Sequence, residues 1–494
     1  MARPLNVLLL SSEVEPFAKT GGLADVSSAL PKAIKSLDHE IRIMMPCYGS
    51  INERKSQLHE MIRLKDIPIQ LGKRHLLASV KSSFIANSHS KIQVYFLDNA
   101  ALYGRPGLYV DPHTKTDYHD NDDRFFFFDH GALEVLKRLG WKPDIIHCND
   151  WQTGLVPVYL KTLYRDDPFY KDTRTIFTIH NMAYQGGFPK SSFEKTGLPQ
   201  EVLTDEGILH DGNLNLLKAG LVYSDAITTV SERYAKEIQA SAEYGCGLQD
   251  VAKRRSNDLS GILNGIDPSV WDPAADQTIP HRYDFKTLDL KLENKKELLR
   301  QLNLPFVGSV PVISMVSRLA EQKGIDIIMA AFDRIMQLPV QFVVLGVGDK
   351  RYQDFFERAE KKYPGKAAAR ISFDTDLAHL IEAGSDMFLM ASRFEPCGLN
   401  QMYSLKYGTV PIVRATGGLD DTVEDFVPTT QKGNGFKFLS YDGEALFEAV
   451  KRAVDTFADQ LTWKRIIKSG MNKDFSWESS ARKYVHLYRK LSRT

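Results

Sequence analysis

The sequence has little of what marks several large protein classes. Of its 494 residues only four are cysteine (Cys47, Cys148, Cys246 and Cys397), all far apart. That spacing offers neither a CxxC pair nor a disulfide framework, and reduced, buried thiols are expected. Net charge is almost absent, with 63 basic residues against 62 acidic ones, or +1 at pH 7. A balance this close removes any global electrostatic case for nucleic-acid or membrane partners. No apolar run approaches the roughly 18 residues needed to span a bilayer. Val7-Leu8-Leu9-Leu10 follows a single basic residue, Arg3, and is ended by Ser11-Ser12-Glu13; it reads as a buried first strand rather than a targeting segment. The cytoplasm is the expected compartment, and a matured plastid form would carry the same signals.

Motif absences narrow the chemistry further. No GxGxxG follows an apolar run; Gly346-Val347-Gly348-Asp349 comes nearest and lacks the third glycine, which argues against a dinucleotide dehydrogenase. Neither Gly72-Lys73 nor Gly365-Lys366 completes a P-loop, and HExxH and GxSxG are missing. Asp120-Asn121-Asp122 and Asp374-Thr375-Asp376 have the spacing that can hold a divalent cation under a diphosphate, but in a chain with 62 acids solvated loop carboxylates are the simpler reading.

What is present is an alternation of short apolar runs with helical patterns, the mark of a parallel α/β sheet. Strands are expected at Leu5–Leu10, Ile41–Pro46, Lys91–Leu97, Asp144–His147 and Thr175–His180, with helices at Leu23–Ser36, Phe126–Leu139 and Leu155–Leu163. The second half restarts the series with strands at Val310–Ser317, Gln341–Leu345, Asp386–Ala391 and Val410–Val413 and a helix at Gly324–Leu338. Between the halves, residues 257–309 carry the turn signals Asn264-Gly265 and Asp267-Pro268 and further proline punctuation. The expectation is two Rossmann-like, doubly wound domains facing across a cleft: 1–262, then 263–476. The amphipathic last helix, 477–494, is expected to pack across the boundary.

Thr20-Gly21-Gly22-Leu23 in the first half recurs as Thr416-Gly417-Gly418-Leu419 in the second, each copy after a strand and opening a helix. A glycine pair there lets backbone N–H groups approach an anion closely, and the helix N-terminus adds positive potential. Other polar residues collect where an open α/β sheet builds its site, at strand C-termini. Lys19 precedes the first glycine pair, and His180-Asn181 ends an apolar run ahead of Tyr184, Gln185 and Gly186. A satisfied core histidine and a sugar-facing one are both compatible with that pattern. Arg318 closes the Val310–Ser317 run and Lys323 follows five residues later, a convergence that suits a diphosphate. Glu395, in Arg393-Phe394-Glu395-Pro396-Cys397-Gly398-Leu399, fits either a helix cap or a sugar-binding carboxylate.

Taken together these segments resemble the starch and bacterial glycogen synthases. The resemblance runs nearly end to end, through Ser12–Val26, Leu102–Gly107, Asp120–Phe125, Asn149-Asp150-Trp151, Ile179-His180-Asn181, Leu263–Asp267, Ser317-Arg318-Leu319, Arg393–Leu399, Gly408-Thr409 and Thr416–Leu419. It implies the glycosyltransferase-B fold and transfer of glucose from ADP-glucose to the non-reducing 4-OH of an α-1,4-glucan, with retention. It also implies roles. Lys19, Gly21 and Gly22 should meet the donor's phosphates and sugar, and Arg318 and Lys323 its diphosphate. Glu395, Cys397, Gly398 and Leu399 should hold the glucose and ribose side, while Thr416, Gly417 and Gly418 give N–H groups to the distal phosphate. His180 should sit at the reaction centre, with Asp150, Trp151, Tyr184 and Asn264 around the acceptor. No metal and no cofactor is implied, which demotes both Asp-x-Asp matches. Two positions depart from the pattern: Gln152 where the family commonly has His, and Phe373 where a Tyr often stacks on adenine. Phe373 keeps the π-face without the hydroxyl. A glucan phosphorylase shares the fold, but no segment matches that family's pyridoxal-phosphate lysine. An inert glucan-binding protein would be free to lose the charged set that this chain keeps.

Overall fold

The computed structural model describes residues 3–86 and 91–493. The chain divides into two compact units. One comprises 1–230, 235–265 and 477–494; the other comprises 231–234 and 266–476. The division thus falls at 265/266, and the last helix belongs to the first unit.

In the first unit the large sheet contains β1 (Asn6–Leu10), β2 (Glu40–Pro46), β3 (His59–Glu60), β4 (Ile67–Leu71), β5 (Arg74–Ala86), β6 (Lys91–Asp98), β7 (Ile145–Asn149) and β8 (Arg174–Ile179). A small ribbon of β9 (Gly187–Phe188), β10 (Leu209–His210) and β11 (Asn213–Asn215) stands apart, and β12 (Ala226–Thr229) and β13 (Leu259–Gly261) complete the large sheet. Its order is β13-β12-β8-β7-β1-β2-β6-β5-β3, with β4 on β5. From β13 to β6 all neighbours are parallel, and β5 joins antiparallel. Val7 to Leu10 are fully buried, as a strand covered on both faces requires. The helix Trp477–Leu491 packs on the helix Gly22–Lys35. Its Tyr488 hydroxyl lies 2.8 Å from His147 Nδ1, and its Ser480 hydroxyl donates to the Leu263 carbonyl at 2.5 Å. Gly265 is required where this helix begins, because a Cβ there would lie 2.5 Å from the Trp477 backbone.

The second unit has an all-parallel sheet of β14 (Val312–Val316), β15 (Gln341–Leu345), β16 (Ala367–Arg370), β17 (Met387–Met390), β18 (Val410–Arg414) and β19 (Phe436–Phe438), in the order β16-β15-β14-β17-β18-β19. The turn-rich segment after residue 265 folds onto this unit. Asp276 is buried there between the His379 ring (2.7 Å) and the Tyr407 hydroxyl (2.6 Å), and Trp271 stacks between His379 and Tyr403 with centroids 3.9 and 4.0 Å apart. Within 257–309 the chain also forms a helix, Asp289–Gln301.

Each sheet reverses its winding at one point, between β1 and β7 in the first unit and between β14 and β17 in the second. Strand ends at such a switch point open a crevice between diverging connections. Lys19, Gly21 and Gly22 follow β1, Asp150 and Trp151 follow β7, Arg318 and Lys323 follow β14 and Glu395 to Leu399 follow β17, whereas His180 and Tyr184 follow β8, Asn264 follows β13, Phe373 follows β16 and Thr416 to Gly418 follow β18.

Candidate active site

In the second unit, the chain leaves β14 through Ser317 and Arg318 and leaves β17 through Ala391, Ser392 and Glu395. Arg318, Lys323, Glu395, Gly398 and Leu399, with Ser392 and Asn400, line one cavity of about 200 Å³. Lys323 Nζ lies 2.6 Å from Glu395 Oε2, and the same oxygen accepts from the Ser392 hydroxyl at 2.9 Å. The carboxylate is therefore no helix cap: it is 7% exposed and committed to a cation and a hydroxyl. Arg318 is exposed, and its guanidinium has no partner among the described residues. An unpaired guanidinium beside a lysine is a ready donor set for a phosphate. Asn400 is fixed by donation to the Val316 carbonyl at 2.7 Å.

The second glycine pair packs under this cavity. At Gly417, with φ +45°, a Cβ would stand 1.9 Å from the Glu395 carbonyl oxygen; at Gly418 it would stand 1.8 Å from that of Cys397. These glycines are dictated by backbone contact. The expected N–H display is also reduced: Gly418 N–H donates to the Glu395 and Pro396 carbonyls, and Thr416 N–H to Arg414. Two of the three groups assigned to the distal phosphate are thus spent within the protein, a correction that follows from how tightly the loop folds. Cys397 is buried beneath the same loop. Phe373 is 90% exposed, makes no ring contact among the described residues and lies outside the cavity lining.

In the first unit three strand ends converge: β1, β7 and β8. After β1, Glu13 is 4% exposed. Its carboxylate accepts from the Thr20 and Gly21 N–H groups, from the Thr20 hydroxyl (2.6 Å) and from the Tyr109 hydroxyl (2.8 Å). The anion that this loop was expected to attract is, for the N–H groups of Thr20 and Gly21, the protein's own. Gly22 and Leu23, at the helix start, have N–H groups with no partner among the described residues. A Cβ at Gly21 or Gly22 would meet nothing within 4 Å, so the chain itself does not require glycine there. Lys19 is exposed and paired with Asp25 at 2.6 Å.

After β7, Asp150 takes φ +56° and ψ −179°, a conformation rare for a side-chain-bearing residue. Its carboxylate accepts the His180 N–H at 2.7 Å, joining the β7 and β8 loops. Burial pushes this carboxyl up to about 7, nearby Glu13 adds to the rise, and the His180 and Asn181 N–H groups oppose it. His180 follows β8, with Nε2 2.9 Å from Asn149 Oδ1; burial lowers its imidazole to about 4, so it is neutral at pH 7. Trp151 packs edge-on to Phe125 (4.8 Å) and beside Tyr109 and Phe188. Gly186, at φ +61°, is fitted against its ring, where a Cβ would come within 2.4 Å. Tyr184 is 55% exposed, and Asn264 is buried with Oδ1 lacking a partner among the described residues.

Three of the four Asp-x-Asp carboxylates have other employment. Asp120 pairs with Arg105, Asp122 and Asp123 with Lys195, and Asp374 caps the helix Thr375–Gly384. Solvated loop acids were expected at 120 and 122; both are ion-paired instead, and Asp122 is buried. Among the described residues no group of three or more His, Cys, Asp or Glu side chains is placed to hold a metal, and no helix is long and apolar enough to cross a membrane. Three of the four cysteines are buried and Cys246 is partly so. Glu13, Asn149, Tyr109 and Ser392 are members of these sites that the sequence reading did not assign. Both Glu13 and Asn149 stand inside motifs named above, Asn149 directly before Asp150 and Glu13 six residues before Lys19.

Residues 6–254 match a family model described as the starch synthase catalytic domain, and residues 301–468 match one described as glycosyl transferases group 1. A glycogen synthase of Koribacter versatilis is 45% identical over 487 residues, covering 98% of each chain. One of Desulforudis audaxviator is 45% identical over 499 residues, covering 99% of this chain and 96% of its own. Among solved structures, the catalytic domain of starch synthase IV from Arabidopsis thaliana, bound to ADP and acarbose, superposes with a TM-score of 0.89 at 33% identity over the full length of both chains. A sucrose-phosphate synthase of Thermosynechococcus elongatus, at 18% identity and TM-score 0.59, shares the fold.

Proposed function

The chain belongs to the starch and glycogen synthase family of glycosyltransferases, and from that premise we propose that it moves glucose from ADP-glucose to the non-reducing 4-OH of an α-1,4-glucan with retention of configuration. The observation that carries the donor side is the cavity at the ends of β14 and β17, where the unpaired Arg318 guanidinium stands beside Lys323 and Glu395. The relative bound to ADP and acarbose supports a nucleotide donor and a glucan-like acceptor.

In this reading Arg318 and Lys323 meet the diphosphate, whose charge grows as the glycosidic bond breaks. Lys323, held by Glu395, and the Arg318 guanidinium stabilise that developing charge electrostatically, and no metal is assigned a part in the reaction. Phe373 offers its exposed ring to the base. In the first unit, His180, Asp150 and the loop held by Glu13 face the sugar, and Trp151, Tyr184 and Asn264 line the acceptor. Two carboxylates about 5 Å apart would be needed for a covalent retaining route, and Glu395 is already paired to Lys323. Retention is therefore assigned to a front-face route in which the departing diphosphate takes the acceptor proton. The reading also takes the protein to work in the cytoplasm, with neither a cofactor nor a nucleic-acid partner.

Transfer of radiolabel from ADP-glucose to glycogen tests the activity, with UDP-glucose run beside it to fix the donor. NMR of the new linkage tests the stereochemistry, and a β-anomer would overturn the retaining mechanism.

A further inference from the structure

Asn149, the last residue of β7, is 1% exposed and stands between two strand ends. Its Nδ2 donates to the Leu10 carbonyl at 3.0 Å and leans toward the His147 carbonyl at 3.4 Å. Both of those neighbours can only accept, so the amide has one tenable orientation. Turned over, it would set its oxygen against two carbonyl oxygens in a buried site, at the cost of an unsatisfied polar group. Oδ1 is thus the atom that faces His180 Nε2, at 2.9 Å.

An amide oxygen can only accept, so Nε2 must carry the hydrogen. His180 is neutral at pH 7 and has one ring proton to place. With that proton on Nε2, Nδ1 keeps its lone pair, and Nδ1 has no partner among the described residues. The other charged or titratable groups nearby do not compete. His147 has both ring nitrogens engaged, with the Tyr488 hydroxyl at 2.8 Å and the Thr178 hydroxyl at 2.6 Å. Asp150 holds the backbone N–H of His180 rather than its ring, and Glu13 is committed to the Thr20–Gly21 loop.

We propose that Asn149 is a positioning residue that fixes His180 in its Nε2–H form, so that Nδ1 is presented as a hydrogen-bond acceptor to a hydroxyl of the bound sugar. The proposal rests on the assignment of His180 to the reaction centre. It deepens that assignment by stating which ring atom works and in which sense: the sugar hydroxyl donates and the imidazole accepts. A histidine in the opposite tautomer would present an N–H to the same hydroxyl and forfeit the contact or reverse it.

The test is the side-chain ¹⁵N spectrum of histidine-labelled full-length protein, with the His180 signals assigned by their loss in His180→Gln. The wild-type ring should give the Nε2–H pattern at pH 7. Asn149→Leu, which fills the space but cannot accept, should give mixed tautomers or the Nδ1–H form. It should also lower kcat/KM by about fivefold to tenfold, the worth of one neutral hydrogen bond, while ADP affinity stays within twofold. A wild-type Nδ1–H pattern, which is read without any substitution at Asn149, overturns the proposal, as does an unchanged tautomer in folded Asn149→Leu. Full activity in His180→Gln would overturn the placement of His180 at the reaction centre instead, whatever the spectrum shows.

Discussion

Removal of Lys323 should cost more than one lost contact, because its partner stays behind. Lys323 Nζ is 2.6 Å from Glu395 Oε2, with side chains only 17% and 10% exposed. Any phosphate oxygen that Lys323 reaches at an ordinary hydrogen-bond length, about 2.8 Å, lies within roughly 5.5 Å of that carboxylate. In Lys323→Ala the charge-assisted bond is lost, worth about 1.5–3 kcal/mol. The bare carboxylate then faces the diphosphate, and at an effective dielectric of about 20 that repulsion adds roughly 3 kcal/mol before screening. The expected loss in kcat/KM is about a hundredfold or more, at about 1.4 kcal/mol per tenfold. Glu395→Gln alone should weaken turnover but leave the cation in place. In the double variant the repulsion is gone, so its kcat/KM should exceed the product of the two single effects by about tenfold. The four enzymes are to be compared with ADP-glucose at fixed ionic strength, after circular dichroism has shown that each is folded. Effects that multiply to within about threefold would refute the reasoning, since they would mean that Glu395 does not share the field of the diphosphate. Lys323→Arg should rescue only in part, because a planar fork replaces a point charge.

Three further outcomes are expected. Activity should survive excess EDTA; loss that Mg²⁺ or Mn²⁺ restores would mean that a metal, not Arg318 and Lys323, carries the leaving charge. Gly418→Ala should lower the melting temperature markedly, its Cβ falling 1.8 Å from the Cys397 carbonyl oxygen, whereas Gly22→Ala, with nothing within 4 Å, should melt within a degree or two of wild type and lose activity; a thermal scan paired with an activity assay reads both. Asp150→Asn should change how stability depends on pH: the folded carboxyl titrates at about 7 against an ordinary 3.8, so the native chain binds more protons than the unfolded one between those values and loses stability as pH rises through them. The substitution removes that loss, and its stability relative to wild type should grow between pH 4 and 8 by up to about 4 kcal/mol, at about 1.36 kcal/mol per unit; parallel urea-unfolding midpoints across that range would contradict it.

Much of the fold was legible because buried parallel strands are written as short apolar runs. Val7–Leu10 and Gln341–Leu345 announce themselves this way, and both are strands. The β4–β5 hairpin does not: Arg74–Ala86 mixes polar and apolar residues, since this strand, paired with β6 on one side and with the short β3 and β4 on the other, keeps much of its length in water. The last helix was legible as an amphipathic stretch, but amphipathicity names a buried face without naming its partner. Only the register that brings Tyr488 to His147 and Ser480 to Leu263 assigns it to the first unit.

The site divides along the same line. Which residues gather was readable, because a doubly wound sheet delivers side chains to the ends of its central strands; Arg318, Lys323 and Glu395 meet in one cavity for that reason. How each polar atom is spent was not readable, because hydrogen bonds are allotted by distances of a few tenths of an ångström between segments far apart in sequence. The two Thr-Gly-Gly loops make the point. They share a sequence, a preceding strand and a following helix, yet one has its N–H groups drawn to the Glu13 side chain and open space where a Cβ would go, while the other is pressed against backbone and donates to carbonyls. A glycine demanded by neighbouring backbone carries no information about a ligand; a glycine beside empty space does. By that criterion the first loop, and not its echo, is the one whose glycines are explained by something other than this chain's own packing.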